Sequence, residues 1–236
     1  MNVEDRNESQ GGARAAGGLV LPREDVWRAP APSCALRVDE DDDAEQEDKT
    51  TKGGDSRMMA KFLRARTILV SEPITSSLAR RIYQNLILLE ADHPDKMITL
   101  VINSPGGEAD TGFGIYDMIR FVRPPTRTVV AGLCASAAVM VFLAAPKEER
   151  LSLPNSRFLL HQPSSANFGQ ASDLEIASRE ILKLRDRYNE IVAQETGRTL
   201  ERVTEDADRD FWMSAQQAKE YGLVARVVTR RQELDA

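Results

Sequence analysis

The sequence has few cysteines, few histidines and no surplus of basic charge, and each shortage excludes a class of protein. Only Cys34 and Cys134 occur among 236 residues, so a disulfide framework is excluded and a reducing cytoplasm is the expected location. Lysine and arginine number 31 against 37 acidic residues, which gives a net charge of −6. Because nucleic-acid binding requires clustered basic charge, no nucleic-acid partner is expected.

Two segments of the sequence bear on whether the chain is secreted or crosses a membrane. The first ten residues carry three carboxylates and are followed by no apolar stretch, which argues against a secretory signal. The run from Thr128 to Pro146 has no charged residue and is about as long as a bilayer-crossing helix. Its β-branched start and the break at Gly132 instead favour a strand, a turn and a buried helix. No membrane partner is therefore expected.

Negative charge is concentrated near the N-terminus. Residues 1–55 hold 14 acidic against 7 basic residues, so the other 181 residues sum to +1. Eight carboxylates occur in the ten positions 39–48. Repulsion between like charges and scarce apolar residues predict a disordered tail at 1–55, followed by a single domain at 56–236.

Short β-rich runs alternate with amphipathic helix patterns in that domain, which predicts an α/β fold. The expected strands are Thr67–Val70, Met97–Ile102, Thr128–Ala131, Arg157–Leu160 and Leu223–Val228. The expected helices begin at Thr75 or Ser76, before Phe113, near Ser136, at Ser172 and at Ser214. The helix from Ser172 to Thr196 is the longest, and its apolar stripe consists of Leu174, Ala177, Ile181, Leu184, Tyr188 and Ile191.

Two histidines and one serine are the first candidates for chemistry. His93 lies in a His-Pro-Asp turn signal and is interpreted as a loop residue. His161 ends a hydrophobic strand, where it is either a structural residue or a general base. Ser136 stands at a strand-to-helix turn among small residues, an arrangement that resembles a nucleophile elbow without its Gly-x-Ser-x-Gly signature. A serine among alanines is also compatible with plain helix packing.

A glycine turn is the third piece. The sequence Ser104-Pro105-Gly106-Gly107 directly follows a predicted strand. Paired glycines let the backbone approach a ligand and direct N–H groups at it, although a plain tight turn has the same pattern. Each of these signals alone is weak.

Taken together, the pieces resemble the ClpP family, the proteolytic subunits of ATP-dependent Clp proteases, from about Phe62 to Val228. The segments that match in order and spacing are Ile102–Gly107, Ile115–Asp117, Ala135-Ser136, Leu153–Arg157, His161–Pro163, Asp208–Asp210, Ser214-Ala215 and Tyr221–Leu223. The resemblance implies a ClpP/crotonase-like α/β fold of repeated strand-strand-helix units. It also implies a long protruding handle helix, for which the helix from Ser172 is the candidate.

The resemblance implies a serine endopeptidase that cleaves unfolded proteins, and peptides without ATP. Ser136 would be the nucleophile, His161 the general base and Asp210 the residue that orients the imidazole. The backbone N–H groups of Gly107 and Ala137 would form the oxyanion hole. No metal and no cofactor is implied, because ATP is used by the partner, a hexameric AAA+ unfoldase. Self-association into two stacked seven-membered rings is expected.

Asp206 and Asp208 are close enough in sequence to compete with Asp210 for the histidine. The resemblance selects Asp210, whose neighbours Phe211 and Trp212 are expected to exclude water from the hydrogen bond. The other two carboxylates have charged neighbours and are expected to be solvated.

The sequence departs from the family pattern near the site. Ala137 stands where Met is usual, Ser164 where Leu is usual and Leu133 where Gln is usual. The first two positions line the side-chain pocket in relatives, so the cleavage preference is open. The family's N-terminal axial segment is not recognisable, which leaves pore gating and unfoldase docking open as well.

Three other functions compete with this interpretation. A noncatalytic or auxiliary ring subunit would have the same fold, and hydrolysis of a small fluorogenic peptide by the purified chain would argue against it. A crotonase-type acyl-CoA enzyme would share the fold and the oxyanion N–H groups but leaves the serine, histidine and aspartate spacing unexplained, and CoA binding would reveal it. A membrane-anchored peptidase would not enter the soluble fraction.

The charge step near residue 55 generates the first testable prediction. Deleting residues 1–55 is expected to leave the melting temperature and the peptidase activity unchanged, because so few apolar residues can bury little area against the domain. Limited proteolysis should cut this segment first. A large drop in melting temperature would contradict the prediction. Loss of unfoldase-dependent degradation alone would instead show that the segment gates or docks.

Overall fold

The structure is a computed structural model that describes residues 58, 61–164 and 168–234. The predicted tail at 1–55 lies outside the described residues. The strands are β1 (Thr67–Val70), β2 (Ile98–Ser104), β3 (Thr126–Ala135), β4 (Arg150–Ser152), β5 (Arg157–Leu160), β6 (Phe211–Ser214) and β7 (Arg226–Val227). Beyond residue 66, the helices are α1 (Ser76–Asp92), α2 (Ala109–Phe121), α3 (Ala137–Leu143), α4 (Ala171–Thr196), α5 (Leu200–Ala207) and α6 (Ala215–Tyr221), with short 3-10 turns at Lys147–Glu149 and Arg231–Leu234. Residues 58 and 61–64 are helical as well.

The sheet is mainly parallel and divides at its longest strand. Its order is β1-β2-β3-β4-β7, and β5 also pairs with β3. The first half of β3 pairs with β4 and its last three residues, 133–135, pair with β5, so one strand serves two neighbours in succession. Only β6 runs antiparallel, on the outer side of β5. The carboxyl ends of β2, β3 and β5 therefore lie close together.

The first two helices form as the sequence predicts. The side chain of Thr75 accepts a hydrogen bond from the backbone N–H of Leu78 at 3.3 Å and so caps α1. The predicted stripe on α1 is buried and consists of Leu78, Ile82, Leu86 and Leu89. On α2 the open choice between Ile115 and Tyr116 resolves to both, since each is buried. These stripes attach the helices to the sheet.

The uncharged run from residue 128 to 146 is a strand followed by a short helix. It supplies most of β3, the turn at Ser136 and all of α3. Every residue of α3 is buried. Among the described residues, no helix combines the length and the apolar character that a membrane crossing requires.

The longest helix packs against the core only near its C-terminal end. Its buried residues are Tyr188, Asn189, Val192 and Thr196. The N-terminal part of the predicted stripe is open, and Leu174 is 37% exposed. The spacing therefore predicted the helix. Within the described part of one chain, however, no other residues cover half of its apolar face.

A buried ion cluster that the sequence did not reveal attaches the end of α4 to the sheet. Arg150, on β4, is buried, donates to the carbonyl of Ala145 at 2.8 Å and forms an ion pair with Glu195. Glu195 also accepts hydrogen bonds from the Tyr116 hydroxyl at 2.8 Å and from Arg120 at 3.0 Å. Burial alone would raise the pKa of Glu195, but the Arg150 and Tyr116 hydrogen bonds and the two arginine charges hold it below its usual value.

Replacing Glu195 by Gln is expected to lower the free energy of unfolding by roughly 2–4 kcal/mol, because Arg150 would keep a buried charge without its counter-ion. Chemical denaturation measures this change, with Glu190→Gln on the exposed side of the same helix as the control. Since the pKa of Glu195 is lowered by folding, its contribution is present above the usual glutamate pKa and is lost as the pH falls through the lowered value. A difference between wild type and variant that persists undiminished in strong acid would contradict this account.

Candidate active site

Ser136 occupies a strained turn between β3 and α3. Its backbone has φ 56° and ψ −127°, and Arg66 is the other non-glycine residue with positive φ in the described part of the chain. Such a conformation costs about 1–3 kcal/mol and persists only where its surroundings enforce it. Here the Ser136 N–H donates to the carbonyl of Leu159 at 3.0 Å, and its carbonyl accepts from Val139 at 2.9 Å. The turn is therefore fixed from both sides.

The Gly106-Gly107 turn touches the Ser136 turn directly. A Cβ atom on Gly106 would lie 2.7 Å from the Cβ of Ser136 and 3.0 Å from the backbone nitrogen of Ala137. Gly106 has φ 90° and Gly107 has φ 154°, so side chains are excluded by conformation as well as by space. Gly106 is thus required for the close approach to the Ser136 turn, and Gly107 for a close approach to the backbone of Ile74, whose carbonyl oxygen would lie 2.2 Å from a Cβ atom.

The two candidate oxyanion donors lie on these touching backbones. Gly107 forms a parallel β-bridge with Ile74. Its two hydrogen bonds are made by the residues on either side of Gly107: the Ile74 N–H donates to the Gly106 carbonyl at 2.8 Å, and the Glu108 N–H donates to the Ile74 carbonyl at 2.9 Å. The Gly107 N–H therefore points away from Ile74. Within residues 61–164 and 168–234, neither this N–H nor that of Ala137 donates a hydrogen bond. Both remain available to an oxygen atom of a ligand.

His161 and Asp210 are brought together by the antiparallel pairing of β5 and β6. Leu160 is paired with Phe211, so the residue after the first strand faces the residue before the second. The Nδ1 atom of His161 lies 3.0 Å from Oδ1 of Asp210. In the tautomer that carries its proton on Nδ1, the imidazole donates to the carboxylate and leaves Nε2 free for a second partner.

Ser136 and His161 line one cavity of about 430 Å³. The other lining residues are Gly107, Glu108, Ala109, Asp110, Thr111, Phe113, Ala137, Met140, Pro163, Ser164, Ile181, Leu184 and Tyr188. Among the described residues, the hydroxyl of Ser136 makes no hydrogen bond. Ser136 and His161 are therefore not hydrogen-bonded to each other in this structure. Active-site bonds of this kind are often long without substrate and tighten when substrate binds.

The environment of the neighbouring carboxylates differs from the sequence expectation. The Asp206 side chain, expected to be solvated, is 7% exposed and accepts hydrogen bonds from Arg202 and from the Tyr221 hydroxyl at 3.0 Å. That expectation was wrong, because Arg202, one turn earlier on α5, and Tyr221, on α6, both bind the carboxylate. Asp208 is solvated as expected. Asp210, expected to be shielded, has a side chain that is 64% exposed in the single chain.

The remaining candidates lie away from this chemistry. His93 is the C-cap residue of α1, in agreement with its interpretation as a loop residue. Its Nε2 atom lies 3.8 Å from Oδ2 of Asp92. Cys134 is buried, and burial raises the pKa of its thiol, so it is no nucleophile. The described residues contain no group of three histidine, cysteine or carboxylate side chains that could hold a metal ion.

Comparison with known proteins agrees with the fold. Residues 51–231 match the family described as Clp protease. The ATP-dependent Clp protease proteolytic subunit 3 of Rhizobium etli is 44% identical over 81% of this chain and 99% of that protein. Proteolytic subunit 2 of Treponema pallidum is 45% identical over 81% and 97%. A solved structure of a ClpP1 mutant from Listeria monocytogenes has a TM-score of 0.70 at 40% identity and covers 75% of this chain and 99% of that one.

The fold is the ClpP/crotonase-like architecture, and the chain belongs to the Clp protease family. Its function is that of a Clp-type proteolytic subunit. The resemblance stated from the sequence is thereby confirmed for the family, the fold and the proteolytic function.

The contact between His161 and Asp210 generates a prediction about the orienting carboxylate. Asp210→Asn is expected to lower peptidase turnover by roughly two orders of magnitude or more, because the amide favours the wrong imidazole tautomer. Asp208→Asn is the matched control, since its side chain is equally exposed, and is expected to stay within about tenfold. Asp206→Asn is also expected to stay within about tenfold in turnover, although its burial predicts a lower melting temperature.

Steady-state hydrolysis of a fluorogenic peptide measures all three variants, after sedimentation has shown that each assembles like the wild type. An inactive Asp208→Asn beside an active Asp210→Asn would show that the assignment of the carboxylate is wrong.

Proposed function

We propose that the chain is a serine-type endopeptidase whose nucleophile, general base and orienting carboxylate are Ser136, His161 and Asp210. One observation carries the proposal: the only strained serine of the described residues lies on the wall of a cavity shared with a histidine that contacts an aspartate. Strain of this kind concentrates at functional sites.

The proposed reaction uses only groups of this chain. The Ser136 hydroxyl attacks the peptide carbonyl and passes its proton to Nε2 of His161, which later protonates the leaving amine. The contact with Asp210 stabilises the imidazolium formed between these steps. The N–H groups of Gly107 and Ala137 stabilise the negative oxygen of the tetrahedral intermediate. His161 then takes a proton from a water molecule, whose oxygen attacks the acyl carbonyl, and gives a proton to the Ser136 oxygen as the ester bond breaks and the new carboxyl end leaves. No cofactor or metal takes part.

The proposal extends to assembly and partners. The chain self-associates into two stacked seven-membered rings and receives unfolded polypeptides in the cytoplasm from a hexameric AAA+ unfoldase, which uses the ATP. Leu174, at the open end of the apolar stripe of α4, is exposed, and so are Ile176 and Leu182 on other sides of the same helix, which supports association with further copies. The relatives named above are subunits of ATP-dependent proteases, which supports the unfoldase partner. Neither a membrane nor a nucleic acid takes part.

Replacing Ser136 by Ala tests the proposal. The variant is expected to lose peptide hydrolysis and labelling by a serine-reactive fluorophosphonate, because the attacking oxygen is removed. Ser178→Ala, which changes an exposed serine on α4, should keep both. Sedimentation of the variants should show the same ring-sized particles as the wild type.

Full labelling of Ser136→Ala would contradict the nucleophile assignment. An unlabelled and inactive wild type in assembled rings would favour an auxiliary, noncatalytic subunit instead.

A further inference from the structure

A buried tyrosine hydroxyl contacts the backbone of the turn that carries Ser136. Tyr188 is the first buried residue along α4, and it is 6% exposed. Its hydroxyl donates to the carbonyl oxygen of Ser136 at 3.5 Å. The same tyrosine lines the cavity together with Ser136 and Ala137. The long helix therefore places a polar group directly at the candidate oxyanion hole.

Packing accounts for the ring of Tyr188 but not for its hydroxyl. The apolar stripe of α4 calls for a large apolar side chain at this position, and a phenyl ring would fill nearly the same space. A hydroxyl that is removed from water is destabilising unless it is hydrogen-bonded. Among the described residues, the Ser136 carbonyl is the one hydrogen-bond partner of this hydroxyl. The role of the hydroxyl must therefore be sought at that carbonyl.

The hydroxyl of Tyr188 keeps its proton and acts as a donor. Burial raises the pKa of this phenol well above its usual value, and its neighbours Cys134 and Tyr221 act in the same direction. Burial also raises the pKa of each of these two neighbours, so they are neutral near pH 7. A protonated phenol beside a carbonyl oxygen can only donate to it.

The carbonyl that accepts from Tyr188 belongs to the same peptide group as the N–H of Ala137. A peptide group is planar, and in its trans form the C=O and the N–H point in opposite directions. A donor that holds the Ser136 carbonyl therefore also holds the direction of the Ala137 N–H. The N–H of Val139 donates to the same carbonyl oxygen at 2.9 Å, and the oxygen has a second lone pair for the phenol.

We propose that Tyr188 is a positioning residue that strengthens the Ala137 N–H as a donor to the oxyanion of the reaction. The inference rests on the proposed function, because it concerns the same oxyanion hole. Hydrogen bonds that share one peptide group polarise one another. Negative charge on the substrate oxygen polarises the Ala137 N–H, which makes the Ser136 carbonyl a better acceptor for the phenol. The phenol contact is then stronger in the transition state than in the free enzyme.

The length of the contact agrees with a role in the transition state. A separation of 3.5 Å is long for an O–H donor, so the contact contributes little in the free chain. Active-site hydrogen bonds are often long without substrate and shorten during the reaction. An interaction that strengthens only in the transition state raises kcat and leaves KM unchanged. Loss of the phenol hydroxyl is therefore expected to affect kcat alone.

Replacing Tyr188 by Phe removes the hydroxyl and keeps the ring. With the purified full-length protein and a fluorogenic peptide, kcat is expected to fall by about threefold to tenfold, with KM within about twofold of the wild type. Tyr83→Phe removes a hydroxyl on α1 that does not line this cavity, and as the control it should change neither constant. Sedimentation and melting temperatures show whether both variants assemble and fold.

A peptide boronate separates this role from a purely structural one. Its boron atom bonds to the serine oxygen and carries an anionic oxygen into the oxyanion hole, so that it resembles the transition state. The same peptide with a C-terminal amide carries no such oxygen. Tyr188→Phe should weaken inhibition by the boronate by about the factor lost from kcat and leave inhibition by the amide unchanged. A packing defect would weaken both inhibitors.

The outcomes separate this inference from the proposed function. Failure of the assembled wild type to cleave the peptide overturns both. With an active wild type, an unchanged kcat in Tyr188→Phe, a loss confined to KM, or equal losses for the boronate and the amide overturns the inference alone. A fall in kcat that only the boronate shares supports it.

A second replacement serves if Tyr188→Phe does not assemble. Incorporation of 3-fluorotyrosine at position 188 keeps the ring and makes the phenol a more acidic, stronger donor. Both kcat and the affinity for the boronate are then expected to rise, while the affinity for the amide stays the same. If kcat and the boronate affinity do not rise, the inference is overturned.

Discussion

The contact between two backbone turns, at Gly106-Gly107 and at Ser136-Ala137, determines the serine side of the site. The first turn ends β2 and the second ends β3, so neighbouring parallel strands deliver both to the same edge of the sheet. The contact requires an absent Cβ on one side and a strained serine on the other. It places next to Ser136 the N–H groups of Gly107 and Ala137, which donate no hydrogen bond within the described part of the chain.

The division of β3 between two partners explains how residues far apart in sequence meet. Because β5 pairs with the end of β3, the residue that follows β5 lies near the residue that follows β3. His161 and Ser136 are those residues. The antiparallel addition of β6 then brings Asp210 to the far side of the imidazole. Three positions separated by 25 and 49 residues are thus arranged by strand pairing alone.

Local pattern predicted what depends on neighbours in the sequence. The bounds of β1 and β5, the cap at Thr75 and the buried stripe of α1 follow from short-range rules. The burial and the partners of charged side chains do not follow from such short-range rules. Asp206 has charged neighbours, yet its side chain is only 7% exposed, because Tyr221 reaches it from α6. Asp210 was selected by the family resemblance. The shielding from water that its neighbours led us to expect is not found, because the side chain is largely exposed in the single chain.

The buried helix that follows Ser136 offsets the strain of its turn. The strained Ser136 is followed by α3, all of which is buried, and burying even one of its large apolar side chains contributes about 1.5–3 kcal/mol. This is comparable to the roughly 1–3 kcal/mol that the serine conformation costs, so the core can hold the turn.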